Sequence, residues 1–376
     1  MRKPGLNTLC VRAARAPDSA TGAVAQPIYL TTTFERDPDG GYPRGYRYSR
    51  EGSPNRAALE SCMAALEGGI GAVAFASGLA ANMAVFALLH AADHIVAPRE
   101  AYYGTLKQLR EHAGERGIAV AFADFSDTAA VQAALTPRTR LVWIETPTNP
   151  LLSITDLALV TALAHECGAW VICDNTFATP VCQSPFDFGV DVIVHSGTKY
   201  LGGHSDVLSG LVVVREDAAL LERLHSWQRV CGAVLGPFDC WLLRRSIATL
   251  GVRVRAQCRS ALLIAEALCD HPAVERVYYP GLPRHPGHAI AAAQMPGGFG
   301  AVMSVCIARG NTAAFETPRR TRFFTPATSL GGVESLIEHR ASIEGSGTST
   351  PQNLLRLSIG LEDTDDLIAD LQQALA

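Results

Sequence analysis

Lysine is rare in this chain, and one lysine stands where chemistry is possible. Of the 32 Lys and Arg residues only three are lysines, Lys3, Lys107 and Lys199, so arginine supplies the ordinary surface charge. Lys199 follows the apolar run DVIVH and lies among serine, glycine and threonine. An amine can lose its proton in a poorly solvated site and can form a Schiff base, whereas a guanidinium does neither. Lys199 is therefore a candidate for covalent chemistry, although a chance lysine at a strand end would fit the same pattern.

Polar residues follow three other apolar runs in the same way. After the run AVAFA, a serine and a glycine open a helical stretch, and such a helix start offers backbone N–H groups to an anion such as a phosphate. The polar or small residues that follow the four runs are Ser77, Gly78 and Leu79; Thr146, Thr148 and Asn149; Asp174, Asn175 and Thr176; and Ser196 and Thr198. Each has an ordinary alternative, since an aspartate can cap a helix and hydroxyls can stabilise turns.

The elements that carry these residues form a regular alternation. Short apolar runs alternate with stretches of helical spacing, such as residues 156–167. The runs span residues 72–76, 94–98, 119–123, 141–145, 170–174, 191–195 and 211–214. This pattern predicts an α/β fold with a mostly parallel central sheet and helices on both faces. Ligands of such sheets bind beyond the carboxyl ends of the strands, so the polar groups would converge at one edge.

The converging groups fit one cofactor, pyridoxal 5′-phosphate, which carries an aldehyde, a phosphate and a basic ring nitrogen. The lysine amine would bind the aldehyde, and Asp174 would keep the ring nitrogen protonated. Hydroxyl and N–H groups would hold the phosphate. The sequence therefore predicts a pyridoxal-phosphate site at this edge of the sheet.

Other motifs do not support different chemistry. Residues 69–74, GIGAVA, match a dinucleotide-binding pattern in letters, but they precede a strand instead of following one. His285 and His288 are spaced like metal ligands but have no further ligands at a useful spacing, so no metal is predicted.

Bulk properties exclude several classes of protein. A net charge of −4 over 376 residues gives no reason to expect binding to nucleic acid or to an acidic membrane surface. The apolar stretches are interrupted, which predicts no membrane-spanning helix, and the N-terminal stretch lacks the apolar core of a secretory signal. Ten cysteines without a CxxC pair indicate reduced thiols and predict a cytoplasmic protein.

Three segments differ in pattern. Residues 1–45 lack periodicity and are predicted to be an extended arm. Residues 46–235 hold the alternating runs and form the predicted cofactor-binding domain. Residues 236–376 are predicted to form a smaller α+β domain, because a long helical region over residues 218–270 is followed by strand-like pieces and by an amphipathic helix near residues 363–376.

Six motifs, in order along the chain, resemble one family. They are YRYSREGSPN, FASGLAAN, ETPTNP, CDNTFATP, HSGTKYLGGHSDVLSG and SLGGVESLIEH. They are similar to motifs of the transsulfuration, or Cys/Met-metabolism, family of pyridoxal-phosphate enzymes. The resemblance covers nearly the whole chain. It implies fold type I, the aspartate aminotransferase-like fold, a small amino-acid substrate, and a homotetramer built as a dimer of catalytic dimers, with the arm reaching a neighbouring subunit.

The resemblance also implies roles for individual residues. Lys199 would be the Schiff-base lysine and proton shuttle, Asp174 would face the ring nitrogen with Thr176 beside it, and Tyr102 would stack on the ring and act in acid–base chemistry. The phosphate would be held by Ser77, Gly78, Leu79, Ser196 and Thr198, together with Tyr48 and Arg50 from a neighbouring subunit. The substrate carboxylate would be held by Asn149, Ser329 and Arg356.

Within the family, the motifs favour the cystathionine γ-synthase or γ-lyase type, which performs γ-replacement or γ-elimination on a sulfur amino acid or an O-acylhomoserine. Glu334 resembles a glutamate of these enzymes, and with Lys107 it would line the distal end of the substrate site. Lys107 stands where arginine is usual, and residues 340–352 form a shorter segment than is usual, with Arg340 in place of proline. Methionine γ-lyase, cystathionine β-lyase and O-acylhomoserine sulfhydrylase are alternatives, as is a non-catalytic regulator that binds pyridoxal phosphate.

Overall fold

A computed structural model describes residues 4–344 and 350–376. Residues 1–3 of the predicted arm and residues 345–349 of the shortened segment lie outside the described residues. The helices are α1 (Leu6–Arg12), α2 (Pro54–Glu67), α3 (Gly78–Phe86), α4 (Tyr103–Gln108), α5 (Thr128–Ala134), α6 (Leu157–Glu166), α7 (Thr179–Cys182), α8 (Ala218–Cys231), α9 (Pro237–Ile247), α10 (Leu250–Cys269), α11 (His288–Gln294), α12 (Gly310–Glu316), α13 (Arg340–Glu344) and α14 (Thr364–Leu375). The strands are β1 (Gly71–Phe75), β2 (His94–Pro98), β3 (Ala119–Ala123), β4 (Thr139–Glu145), β5 (Trp170–Asp174), β6 (Val192–Ser196), β7 (Gly210–Val214), β8 (Val274–Tyr278), β9 (Val302–Ile307), β10 (Thr325–Pro326), β11 (Leu336–His339) and β12 (Leu354–Ser358).

The seven apolar runs form one seven-stranded sheet in the order β1-β7-β6-β5-β4-β2-β3. Strands β2 to β6 pair in parallel, and β7 is antiparallel to both of its neighbours, β1 and β6. The predicted α/β fold with a mostly parallel central sheet is confirmed. Strands β1, β4, β5 and β6 run in one direction, because β1 and β6 are both antiparallel to β7, so their carboxyl ends lie at the edge where the polar residues follow them.

Both faces of this sheet are buried, as the continuous apolar runs require. Successive side chains of a strand point to opposite faces, so each strand contributes to two cores. In β4, for example, Val142 and Ile144 belong to one buried cluster, whereas Leu141 and Trp143 belong to the other. Helices cover the sheet on each side, with α2 and α6 in contact with it on one face and α3 on the other. This packing holds the strand ends rigidly.

The C-terminal part of the chain contains a second sheet in the order β10-β11-β12-β9-β8. The helical region that precedes it is three helices and not one, because α8 ends at Gly232 in the left-handed conformation, with φ 76°, and α9 begins at Pro237. Proline suits a first helical turn and glycine suits a C-terminal cap, which explains the break. The assignment of residues 46–235 and 236–376 to separate domains remains a prediction.

The start of the chain is partly fastened to its own subunit. Helix α1 packs against α2 and α10, and Cys10 in α1 is buried. The side chain of Asn55 accepts a hydrogen bond from the Tyr29 N–H at 2.9 Å and donates to the Pro27 carbonyl at 2.9 Å. The described part of the segment therefore has contacts within the chain, and its contribution to a neighbouring subunit remains a prediction.

Within residues 4–344 and 350–376, no helix is both long and apolar enough to cross a membrane. All ten cysteines are free thiols. The described residues contain no group of three or more His, Cys, Asp or Glu side chains that could hold a metal ion.

Candidate active site

A cavity of about 190 Å³ lies at the carboxyl ends of the parallel strands, between the large sheet and the C-terminal part of the chain. It brings together twelve of the residues predicted for the site: Ser77, Gly78, Leu79, Tyr102, Asn149, Asp174, Thr176, Ser196, Thr198, Lys199, Ser329 and Arg356. A larger cavity of about 430 Å³, lined by Arg15, Arg244 and Arg245 among others, shares none of them.

Four of these residues form what we call the hydroxyl corner: Ser77, Gly78, Ser196 and Thr198. The Ser77 hydroxyl caps α3 by accepting the N–H of Ala80 at 3.1 Å. A Cβ atom added to Gly78 would lie 3.1 Å from the Cβ of Ser196, so α3 begins tightly against the end of β6. Uncharged hydroxyls around a helix start suit an anion.

Two carboxylates lie side by side at the floor of the cavity. Glu145 and Asp174 end strands β4 and β5 and are direct partners in the ladder. Burial raises the pKa of Glu145 well above its usual value, and the charge of Asp174 raises it further. Burial also raises the pKa of Asp174, while hydrogen bonds from Thr176 oppose that rise. Neither carboxylate forms an ion pair with another described residue, so a cation inside the cavity would be stabilised here.

A buried pair of a histidine and a glutamate lies near Asp174. His195, in β6, lies 2.5 Å through Nε2 from Oε1 of Glu67, and both side chains are fully buried. The Nδ1 atom of His195 has no partner among the described residues. Positive charge on His195 lowers the pKa of Asp174 and so favours its ionised form.

The Lys199 amine lies in the cavity wall, where Nζ donates to the hydroxyl of Ser329 at 2.9 Å. Burial lowers the pKa of Lys199 to about 8, and the positive charge of Arg356 adds to this effect. At neutral pH a larger fraction of this amine is unprotonated than in an ordinary lysine. Ser329 itself has a φ of 105°, which is strained for a residue with a side chain. Backbone strain of this kind is typical of functional sites, so Ser329 is a candidate functional residue.

Arg356 is buried in β12 beside the lysine. It donates to Oδ1 of Asn149 at 3.1 Å, to the Ser329 carbonyl at 3.0 Å and to Glu338 at 2.6 Å. Burial lowers the pKa of Arg356 to about 10, with a further contribution from nearby Arg340. The guanidinium is thus held in one orientation and faces a cavity that can admit a carboxylate.

Tyr102 stands at the mouth of the cavity, just before α4. Its N–H donates to Oε2 of Glu145 at 2.8 Å, and its side chain is 41% exposed. The neighbouring Tyr103 does not line the cavity. An aromatic ring at this point could cover a planar ligand.

Four other predicted site residues lie outside this cavity. Tyr48 and Arg50 are exposed, with Arg50 donating to the Arg229 carbonyl at 2.7 Å. Lys107 lies five residues after Tyr102, which turns it well away around the helix, and it pairs with Glu111 at 4.0 Å. Glu334 accepts a hydrogen bond from Ser205. The structure does not bring these side chains to Lys199 within one chain.

Three charged residues in or beside the cavity were not predicted as site residues. Glu145 ends the run LVWIE, and this position after a buried strand could have identified it. Glu338 and Arg340 lie in and just after β11, where nothing in the local pattern marks them. Glu338 contacts Arg340 at 2.8 Å as well as Arg356, and Arg340 lines the cavity.

The fold and this site together define a pyridoxal-phosphate-dependent enzyme of fold type I: a lysine amine, a buried carboxylate and a helix start converge at the strand ends of a mostly parallel sheet. The model of the family described as "Cys/Met metabolism PLP-dependent enzyme" matches residues 7–376. The chain belongs to this family.

Named relatives and solved structures resemble this chain over nearly its full length. The chain is 48% identical over 377 residues to a cystathionine gamma-synthase of Mycobacterium tuberculosis, which covers 99% of this chain and 97% of the relative. It is 43% identical over 377 residues to a cystathionine gamma-lyase of Bacillus subtilis, with 98% of each chain covered. The crystal structure of cystathionine gamma synthase from Xanthomonas oryzae pv. oryzae in complex with aminoacrylate and cysteine has a TM-score of 0.96 at 42% identity, covering 100% of this chain and 98% of that one.

Proposed function

We propose that this enzyme catalyses γ-replacement or γ-elimination on an amino acid with a leaving group at Cγ, as cystathionine γ-synthases and γ-lyases do. The observation that carries the proposal is the approach of Lys199, through Ser329, to a buried arginine within one cavity. The Lys199 amine, which could transfer the Cα proton, then lies beside the binding site for the substrate carboxylate. The names of the full-length relatives support the same reaction class.

The residues at the floor of the cavity suit the cofactor. When bound, pyridoxal phosphate supplies an electron sink for negative charge at the substrate Cα. Asp174 would hold the proton on the ring nitrogen, with Thr176 fixing the carboxylate through its N–H at 3.0 Å. The hydroxyl corner, with Leu79 beside it, would hold the phosphate, and Tyr102 would cover the ring.

Binding and proton transfer would be divided among separate residues. Arg356, Asn149 and Ser329 would orient the substrate through its carboxylate, because a guanidinium fork forms two parallel hydrogen bonds with that group. Lys199 would accept the Cα proton as a free amine. In elimination it would return a proton at Cγ after the Cβ proton and the γ substituent have left, whereas in replacement the thiol sulfur would bond to Cγ instead. The low pKa of Lys199 supports this use as a base near neutral pH.

The proposal also covers the distal end of the substrate and the assembly of subunits. Glu334 and Lys107 would bind the second amino-acid head of cystathionine. Tyr48 and Arg50 would reach the phosphate of a neighbouring subunit in a homotetramer composed of two catalytic dimers. The free state of all ten cysteines supports a reducing compartment, the cytoplasm.

The test is to incubate the holoenzyme separately with cystathionine, with O-succinylhomoserine plus cysteine, and with methionine. Release of ammonia with 2-oxobutyrate would identify γ-elimination, and formation of cystathionine would identify replacement. Release of ammonia with pyruvate from cystathionine would identify β-elimination and contradict the proposal. Lys199→Ala serves as the control that lacks the amine. If none of the three gives a product above this control, the proposed reaction class is refuted.

A further inference from the structure

Arg340 lies in the cavity wall, and the roles proposed above do not use it. Its side chain is only 4% exposed, and it begins α13 directly after β11. It lines the same cavity as Lys199 and Arg356. A buried guanidinium costs free energy unless its charge is compensated, so a buried arginine at this position calls for a functional or structural reason.

One carboxylate joins Arg340 to Arg356. Oε2 of Glu338 accepts from Nη1 of Arg340 at 2.8 Å and from Nη2 of Arg356 at 2.6 Å. Oε1 of Glu338 accepts the hydroxyl of Thr328 at 2.6 Å. Because Glu338 and Arg356 are direct partners in the ladder between β11 and β12, the backbone fixes this arrangement. Glu338 therefore holds two guanidinium groups close together in the cavity wall.

Both cations of this group line the cavity, and both of its carboxylates lie outside the lining. Glu338 contacts the two guanidinium groups and Glu344 binds Nη2 of Arg340 at 2.7 Å, so the group is neutral in sum but presents its positive side chains to a ligand in the cavity. The Nε atom of Arg340 is buried without a partner among the described residues. The charge of Arg340 helps to lower the pKa of Arg356, which is the repulsion expected between close like charges. A ligand carboxylate would relieve that repulsion.

We propose that Arg340 is a second cation of the substrate-carboxylate seat, so that the α-carboxylate binds to Arg356 and Arg340 together while Glu338 holds the two guanidinium groups close together. This inference rests on the proposed function, in which Arg356 receives that carboxylate. Each guanidinium can donate to the carboxylate through a planar fork. The pair would make the enzyme discriminate more strongly against ligands that have an amine but no carboxylate.

The experiment compares two ligands that cannot react at Cγ. L-norleucine is an amino acid without a leaving group there, and n-pentylamine is the same molecule without its carboxylate. The dissociation constant of each for the holoenzyme is measured from the change in cofactor absorbance. Arg340→Gln is expected to weaken norleucine binding about tenfold to a hundredfold, the effect of a lost charge-assisted contact, and to change pentylamine binding less than about threefold. Arg340→Lys, which keeps the charge but not the fork, is expected to weaken norleucine binding by a smaller factor.

Matched controls separate binding from stability. Arg319→Gln removes the same charge from a side chain that is 63% exposed and lies outside the cavity, and it should bind both ligands as the unaltered enzyme does. Thermal unfolding and cofactor content are measured for every variant. If Arg340→Gln does not fold, Arg340→Lys provides the comparison.

The outcomes distinguish this inference from the proposed function. Unchanged norleucine binding in a folded variant, or equal weakening of both ligands, overturns the role of Arg340 and leaves the proposed function standing. If the unaltered holoenzyme shows no absorbance change with norleucine, the second-cation role fails, whereas the proposed function is judged separately by the three substrate incubations.

Discussion

The apoenzyme should capture pyridoxal phosphate with a pH dependence set by the surroundings of Lys199. Only the unprotonated amine attacks an aldehyde. Burial and the charge of Arg356 lower the pKa of Lys199 to about 8. At pH 7 about one amine in ten is then unprotonated, against about one in three thousand for an ordinary lysine, a difference of about 300-fold in reactive amine. The uptake rate should rise with pH and level off above about pH 8.

The assay follows cofactor absorbance after mixing with apoenzyme, from about pH 6.5 to about pH 9.5, a range that spans the expected midpoint. Uptake by a free amine over the same range corrects for titration of the cofactor itself. Arg356→Gln removes a positive neighbour of the amine and should move the midpoint to higher pH. Lys199→Arg should show no covalent uptake. A midpoint that remained at the ordinary value for lysine, or one that Arg356→Gln did not move, would refute the reasoning.

Three other predictions concern the rest of the site. Asp174→Asn should keep the cofactor but reduce turnover about a hundredfold or more, because an amide cannot compensate a protonated ring nitrogen, and steady-state kinetics within about twofold of normal would contradict this role. Hybrids of inactive Lys199→Ala and inactive Arg50→Ala chains should recover part of the activity if subunits share sites, whereas verified hybrids without activity would argue against sharing. Glu334→Ala should raise KM for cystathionine about tenfold to a hundredfold, with little change for a substrate that lacks a distal head; equal increases would contradict the distal assignment.

Much of the large sheet could be predicted because its strands are buried on both faces. The runs at residues 94–98, 119–123 and 170–174 coincide with β2, β3 and β5. A strand that is buried along its whole length, such as β2, gives a continuous apolar run with visible limits. Strand β3 lies at the edge of the sheet and is only partly buried, so its limits follow from the apolar run and not from burial. The same reasoning located nine of the twelve residues of the cavity, since polar residues after strands that run in one direction converge at one edge. The other three, Tyr102, Ser329 and Arg356, were predicted only from the resemblance to the family. The antiparallel direction of β7 was not predictable, because an apolar run such as LVVV has the same pattern in a parallel strand and in an antiparallel strand.

Contacts between segments that are distant in the chain could not be predicted from the sequence. Glu338 and Arg356 meet through pairing across β11 and β12, and Arg340 joins them only after the chain has turned into α13. No local pattern records which buried carboxylate will balance which guanidinium. Lys107 shows that nearness along the chain does not place a side chain in this cavity: it is near Tyr102 in number but does not line the cavity within one chain, so its role at the distal end of the substrate stays a prediction. The order of residues along the chain predicted the strands and helices, but it did not predict which side chains from distant segments meet in space.

Charge balance explains why one chain would not complete the proposed cofactor site. A phosphate ester carries about 1.5 to 2 negative charges at neutral pH, and the start of a helix offers only about half a positive charge. The hydroxyl corner contains no charged side chain. Among the described residues that line the cavity, the cations are Lys199, Arg340 and Arg356, and the two arginines share Glu338. We therefore expect a further cation from outside the chain, and the exposed Arg50 has the chemistry to supply it to a neighbouring subunit. The hybrid experiment therefore tests an electrostatic need that the single chain leaves unmet.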